Sequence, residues 1–373
     1  MEPHDDTLTV SVRDPRDLLA YVPYRLGFRP RDSAVVVSLR PPRSRVGLVV
    51  RVDLADLLDV RRGRPLARTV AHHLARDGAE RIVVVAYADR VDDRVREALD
   101  VLDDELAVTA PVTARWAVTA TGWSNPDCDD PTCCPPGGHP LAELDASPVA
   151  AELVLAGVSV AASRDHAYAL PVADEPARRS ARRAAGRWST THGRPPLTAD
   201  ARSAGLAAWR AALDLVVTGA DVPAPAAGRV LAALEDSTVR DAALLCLVPD
   251  AGDHPERLAA ADGPGLVGCE PATVDALARI IGPRGEAPEA DLVEPVRRLL
   301  TTLAAHAAGT RRAPVLTLLG FLAWWTGDGG LARARVDAAL AVDGGHRLAV
   351  LLSQMLDAGM PPGWVRAEHA LLR

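Results

Sequence analysis

The chain has 373 residues, of which 48% are hydrophobic and 24% charged, and its net charge is −7. This composition can bury ordinary hydrophobic cores and is not that of a disordered chain, and the length predicts two or three domains. Lysine is absent from the sequence, which excludes P-loop nucleotide-binding proteins, Schiff-base and pyridoxal enzymes, and protein kinases.

The charge distribution and the N-terminus bear on localisation and on partners. No long basic run is present, so the sequence does not predict nucleic-acid binding. The first ten residues are acidic and lack an apolar core, so we expect no signal peptide, and the apolar runs are too short to span a bilayer. We therefore expect a cytoplasmic protein with reduced thiols and no membrane contact.

The N-terminal part alternates between strand and helix patterns. Residues 7–12 alternate as a first strand, and Asp14-Pro15 is typical of a helix start. Pro23 should kink or end that helix after two turns, and Gly27 should cap it.

The next segments complete a mixed sheet. Two apolar strands at 33–39 and 46–54 are separated by a short turn and are expected to pair antiparallel. A helix at 64–77, a buried strand at 81–89, a helix at 92–106 and a strand within 107–120 follow. The order predicts an N-terminal mixed-sheet α/β sandwich within a domain of residues 1–172.

The C-terminal part shows helical periodicity only. We predict a linker with one helix at 173–199 and an all-α helical bundle at 200–373, so the fold class is α/β plus all-α. Residues 319–357 resemble a tetratricopeptide repeat, although an ordinary α-hairpin explains the pattern too. Trp324 and Trp325 are expected to be exposed there and to contact a protein partner.

The most distinctive stretch is a cysteine-rich loop at 122–140. Cys128, Cys133, Cys134 and His139 together offer three thiolates and an imidazole, which is the ligand set of a tetrahedral zinc site. Unliganded structural thiols and a Cys128–Cys133 disulfide are alternatives. No basic residue flanks the thiols, which disfavours a redox or nucleophilic role.

A second candidate site lies in the turn at 25–33, where arginines, an aspartate and a serine are clustered. Arginine side chains suit an anionic ligand, whereas the alternative is a capped turn with solvated arginines and a simple Arg–Asp ion pair in the following strand. The residues that we predict to contact such a ligand are Arg25, Arg29, Asp32, Ser33, Arg51 and Asp53.

Four segments together resemble an actinobacterial family, the domain of unknown function 4192. They are the PYRLGFRPRDS phrase within 18–39, the VVRVDL strand at 49–54, the GW…C…CCPPGG loop at 122–138 and the GFLAWWTGDGG segment within 320–343. The resemblance implies membership of that family and brings no catalytic residues with it.

The sequence contains no GxSxG or HExxH motif. We therefore predict a non-enzymatic interaction or regulatory protein whose helical domain docks a protein partner. The alternatives are an enzyme or small anionic-ligand binder, with a site near 25–33 and the cysteine-rich loop, and a zinc-stabilised structural module.

Overall fold

The computed structural model describes residues 14–42, 44–261, 271–282 and 285–365. The chain forms two compact units, Met1–Ala169 and Leu170–Arg373. The strand predicted at 7–12 lies outside the described residues. Within the described ranges, no helix is both long enough and apolar enough to cross a membrane.

The first unit is built on a mixed sheet. Its central strand pairs with one antiparallel and one parallel neighbour, and the antiparallel pairing predicted for the first two described strands is confirmed. In spatial order β2-β1-β3-β4-β5, the strands are β1 (Ser33–Arg40), β2 (Arg45–Asp53), β3 (Arg81–Tyr87), β4 (Val112–Val118) and β5 (Trp123–Ser124).

Helices pack on both faces of this sheet. Even-numbered residues of β1, such as Val36, join a core with α3 and α4, whereas odd-numbered ones, such as Val35, pack against α1. This alternation follows from the two-residue period of a strand. The helices of this unit are α1 (Pro15–Leu26), α2 (Leu54–Leu57), α3 (Gly63–Asp77), α4 (Asp93–Leu106), α5 (Ala142–Asp145), α6 (Pro148–Leu155) and α7 (Arg164–Tyr168).

Helix α1 has the caps that the sequence predicts, and it continues past Pro23. The side chain of Asp14 accepts a hydrogen bond from Asp17 N at 2.9 Å, and Gly27 ends the helix with a φ of 77°. Of the two alternatives expected at Pro23, a kink or an end of the helix, the end is wrong, because α1 continues to Leu26. Leu18, Leu19 and Val22 bury this helix against the sheet, and such packing outweighs local propensity.

The second unit is helical throughout its described part, as predicted. The helix expected at 173–199 lies in this unit, where the backbone N–H of Ala173 donates to Ala305 O at 3.1 Å. The helices are α8 (Glu175–His192), α9 (Ala199–Val217), α10 (Ala224–Ala233), α11 (Ser237–Leu245), α12 (His254–Ala260), α13 (Pro271–Ile281), α14 (Ala290–His306), α15 (Arg312–Trp325), α16 (Gly329–Val342) and α17 (Arg347–Asp357).

Helices α15 and α16 approach closely at a glycine. A Cβ atom at Gly320 would lie 3.1 Å from Val336 Cγ2 and 3.3 Å from the backbone oxygen of Ala332. The small residue therefore sets the separation of the two helices, as the sequence pattern indicates.

Candidate functional site

The cysteine-rich loop leaves the sheet at β5 and returns beside it. Trp123 N donates to His139 O at 2.9 Å, and His139 N donates to Trp123 O at 2.8 Å. A Cβ atom at Gly122 would lie 2.5 Å from His139 O, so the two arms can approach only with glycine there. Gly138, with a φ of 84°, makes the turn on the returning arm. The loop is thus closed at its base by the backbone.

A tight turn inside the loop brings two adjacent cysteines to the same side. Cys133 N and Cys134 N both donate to Asp130 O, at 3.1 and 2.7 Å. The Asp130 carboxylate accepts from Thr132 N at 2.8 Å and from its hydroxyl at 2.7 Å, which closes an Asx turn. This turn allows neighbouring thiols to converge, which extended chain would prevent.

The three thiols of the loop form one cluster. Sγ atoms of Cys128, Cys133 and Cys134 all lie within 4.8 Å of one another, and each is a free thiol. Cys133 is exposed, and the other two are half-buried. The neighbouring Cys128 and Cys134 thiols raise the pKa of Cys133, because hydrogen bonds to its protonated form and repulsion between thiolates both disfavour ionisation.

His139 is not a member of this cluster, although the sequence suggests it as the fourth ligand. Its Nε2 atom lies 2.8 Å from the backbone oxygen of Cys133, and its ring stacks on Trp123 with a centroid distance of 4.4 Å. His139 thus lies outside the group of three thiols in this structure, and its role as a fourth ligand stays a prediction. The backbone pairing with Trp123 fixes this residue at the base of the loop, where its ring holds the loop rather than joins the thiols.

An ion-pair network that sequence reasoning missed links the cysteine-rich loop to β4 and α4. Arg115 on β4 donates through Nε to Asp103 at 2.6 Å and through Nη2 to Asp100 at 3.0 Å. Its Nη1 lies 3.5 Å from Asp127, next to Cys128. The spacing of Asp100 and Asp103 on one face of α4 was the available signal, but nothing local in the sequence indicates their partner.

The arginine-rich turn is joined to α5 by an ion pair. Arg25 and Arg29 are exposed, and Arg29 Nη2 lies 3.1 Å from Asp145 Oδ1. Asp32 has a φ of 45°, and its carbonyl accepts from Leu54 N at 2.9 Å. Ser33 is fully buried at the start of β1.

The strand residues expected beside this turn also pair with each other. Arg51 donates to both carboxylate oxygens of Asp53, at 2.5 and 3.1 Å, and to Arg31 O at 3.3 Å. Arg164 adds a contact of 3.6 Å to Asp53. The structure thus brings Arg51, Asp53 and the turn together at one edge of the sheet.

Trp324 and Trp325 do not present the exposed surface that the sequence suggests. Their exposed fractions are 2% and 0%, and their indole nitrogens donate to Met360 O at 2.8 Å and Glu286 O at 2.7 Å. The prediction of exposure is wrong because α15 is buried along its length from Ala313 to Trp325. The expected partner docking therefore loses the two residues on which it was based.

Comparison with known proteins gives a family and no closer relative. No curated protein and no solved structure matches the chain. The family model described as "Domain of unknown function (DUF4192)" matches residues 15–363, which include the arginine-rich turn, the cysteine-rich loop and α15. The chain therefore belongs to the DUF4192 family.

Proposed function

We propose that this protein binds one zinc ion through Cys128, Cys133 and Cys134, and that the ion fixes the cysteine-rich loop at the edge of the sheet. The observation that carries the proposal is the convergence of three Sγ atoms within 4.8 Å of one another. Zn–S bonds of about 2.3 Å place the sulfurs of a tetrahedral site roughly 3.8 Å apart, so a small adjustment completes the coordination.

The surroundings of the thiols favour a metal site over unliganded structural thiols. The loop is closed at its base by Trp123 and His139 and is turned at Asp130, so the thiol positions are set before a metal arrives. Ionisation of three adjacent thiols is unfavourable unless a cation binds them, and zinc has a strong preference for thiolate ligands.

The proposed site has three protein ligands and one further position. His139 is held away from the thiols by its stacking on Trp123, so water or an external ligand takes that position. Zinc sites with three protein ligands and an open position are typical of reactive rather than purely structural centres.

The metal competes with protons for the thiols. Cys133 has a raised pKa in the metal-free cluster, and zinc requires its thiolate. Zinc affinity should therefore rise with pH, and protons should be released on binding.

Cobalt substitution tests the proposal on the full chain. Co²⁺ bound to three thiolates gives an intense sulfur-to-cobalt charge-transfer band, together with the visible bands of tetrahedral coordination. We expect these bands to saturate at one Co²⁺ per chain and to bleach on addition of Zn²⁺. The matched control is Cys246→Ser, which removes a free thiol of the helical unit and should leave the spectrum unchanged. Bands that survive Cys128→Ser at full intensity would refute the assignment.

A further inference from the structure

Helix α8 and the turn after it carry a local excess of positive charge. Residues 176–199 contain six arginines and no aspartate or glutamate, so this segment carries +6 with histidine neutral. The whole chain carries −7, and the residues outside the segment therefore carry −13. The six residues are Arg178, Arg179, Arg182, Arg183, Arg187 and Arg194.

The helical period brings four of these arginines to one exposed face of α8. Arg179, Arg183 and Arg187 follow one another at intervals of four residues, which places them in a row about 12 Å long. Arg182 lies beside this row, and all four side chains are exposed. We call these four residues the arginine face. The opposite side of the helix holds its buried residues, Ala181, Ala184, Ala185 and Trp188.

The positive charge of the arginine face is only partly neutralised. Glu175 is the one acidic residue of α8, and it lies 4.0 Å from Arg179 and from Arg182. Within the described part of the chain, no carboxylate lies within 4 Å of Arg183 or Arg187. Like charges four residues apart destabilise a helix, so the row does not serve the stability of α8. An anion bound across the row would relieve this repulsion.

The apolar side of α8 is already covered by α10. A Cβ atom at Gly228 would overlap the backbone oxygen of Ala181, so the two helices are in contact there. A helix that binds a membrane surface places its apolar side in the lipid, which α8 cannot do. The one ionisable residue of α10 is Arg229, which is exposed next to this contact and adds positive charge.

The composition of the exposed surface favours a nucleic-acid duplex over other anionic partners. None of the exposed large apolar side chains lies in α8 or α10. Protein interfaces have an apolar core, whereas protein–DNA interfaces are more polar and much more positively charged. Single strands bind to exposed aromatic side chains, but the one aromatic residue besides histidine in these two helices, Trp188, is 8% exposed.

We propose that the arginine face binds the phosphate backbone of a nucleic-acid duplex without reading its sequence. A duplex carries one negative charge per about 1.7 Å of its axis, so several phosphates lie along a row of about 12 Å. Each guanidinium can donate two parallel hydrogen bonds to a phosphate. The sequence does not predict such binding because the arginines form no continuous run and are brought together by the helix. The inference is independent of zinc, since the thiol cluster contains none of these residues.

Fluorescence anisotropy on the full chain tests the inference. The probes are a labelled DNA duplex of about 20 base pairs and an RNA duplex of the same sequence, titrated between about 50 and 200 mM salt. We expect saturable binding of at least one duplex, and the comparison shows which nucleic acid is preferred. The logarithm of the binding constant should fall against the logarithm of the salt concentration with a slope of about −3 to −4, as for four phosphate contacts.

Arginine substitutions locate the binding face. Arg183→Ala and Arg187→Ala should each weaken binding about tenfold at low salt and bring the slope about one unit closer to zero. Both variants should fold, because alanine is the strongest helix former. The matched control is Arg347→Ala, which removes an exposed arginine at the start of α17 and changes the net charge equally. It should change the affinity by less than about twofold.

Glu175 supplies a substitution with the opposite expected sign. Its carboxylate pairs with Arg178 at 2.6 Å and is the acidic group nearest to the arginine face in α8. Glu175→Gln removes this competitor for the arginines and should tighten binding about two- to fivefold, the range of an exposed ion pair.

Three results would overturn the inference. One is the absence of saturable binding of either duplex to the wild type at low salt. Another is an equal effect of Arg183→Ala and Arg347→Ala on the affinity, which would leave only a dependence on net charge. The third is binding of a poly-glutamate peptide as tight as that of the duplexes, which would assign the arginine face to an acidic protein partner.

Discussion

Trp123 and His139 close the base of the cysteine-rich loop through two kinds of contact, one between their backbones and one between their rings. Their backbones exchange hydrogen bonds of 2.9 and 2.8 Å, and their rings stack with centroids 4.4 Å apart. Trp123 also belongs to the buried core under α1. The loop that presents the three thiols is therefore anchored to the interior of the first unit, and His139 acts as part of that anchor.

A substitution of His139 distinguishes its role as an anchor of the loop from a role as a metal ligand. In His139→Phe the ring can still stack on Trp123, but no nitrogen is left to coordinate a metal. We expect zinc to bind at one ion per chain with an affinity lowered by about 10–100-fold, in line with the loss of a supporting contact. Competition with a chromogenic chelator measures this, and complete loss of zinc from the variant would show that His139 is a ligand.

Gly122 should be intolerant of any side chain. In Gly122→Ala the new Cβ would lie 2.5 Å from His139 O and 2.6 Å from Gly137 O, both backbone atoms that cannot move independently. We expect a destabilisation of roughly 1–3 kcal/mol, as for other overpacked sites.

Gly186 in α8 is the matched control for that substitution. It is exposed, and no atom lies within 4 Å of the position that a Cβ would take. Gly186→Ala should therefore stabilise by about 0.5–1 kcal/mol through helix propensity. Differential scanning calorimetry of both variants is the measurement, and an unchanged melting temperature for Gly122→Ala would contradict the closed-loop geometry.

Trp325 should behave as a core residue. Trp325→Ala removes a fully buried indole and leaves Glu286 O without its donor, so we expect a loss of about 3–5 kcal/mol. Leu351→Ala, at a position that is 46% exposed, should cost less than about 1 kcal/mol. Urea unfolding monitored by tryptophan fluorescence compares the two. A similarly small loss of unfolding free energy in both variants would contradict the assignment of Trp325 to the core.

Acid should weaken the helical unit through His346. Its Nδ1 accepts from Ala349 N at 3.4 Å at the start of α17 and lies 3.2 Å from Thr317 Oγ1. Burial, followed by the charge of Arg240, lowers its pKa below the usual 6.5. A lowered pKa in the folded state means that protonation favours unfolding. The stabilisation that neutral His346 contributes is therefore present above pH 6.5. It is lost as the pH falls through the pKa of His346 in the folded state.

His346→Asn tests this pH dependence, because asparagine keeps a cap acceptor and does not titrate. The melting temperature of the wild type should fall more steeply between pH 7 and pH 5 than that of the variant. His166→Asn, at an exposed position, should follow the wild type. Parallel curves for His346→Asn and the wild type would exclude His346 as the source.

Local signals in the sequence determine much of the fold. Asp14 and Gly27 mark the ends of α1 because capping depends on a few neighbouring residues. The apolar run at 81–87 indicates a central strand because both of its faces are buried. The family resemblance is confirmed over residues 15–363.

Contacts between distant segments could not be predicted in the same way. Two sets of contacts depend on the strand order of the folded sheet. They are the ion pairs of Arg115 with Asp103 and Asp127, and the cross-strand pairings that align Ser33 with Tyr87 and Trp123. No local sequence pattern predicts that strand order.

The burial of Trp324 and Trp325 could have been predicted from the composition of their helix. Helix α15 is apolar around its whole circumference, and such a helix is buried rather than exposed on one face.

Zinc content tests the central claim most directly. The full chain, reconstituted with excess zinc and then dialysed, should carry one zinc per molecule by elemental mass spectrometry. Cys133→Ser should carry far less, and Cys246→Ser should retain the metal. A wild-type chain that keeps no zinc, or a Cys133→Ser variant that keeps as much as the wild type, would contradict the proposed metal site.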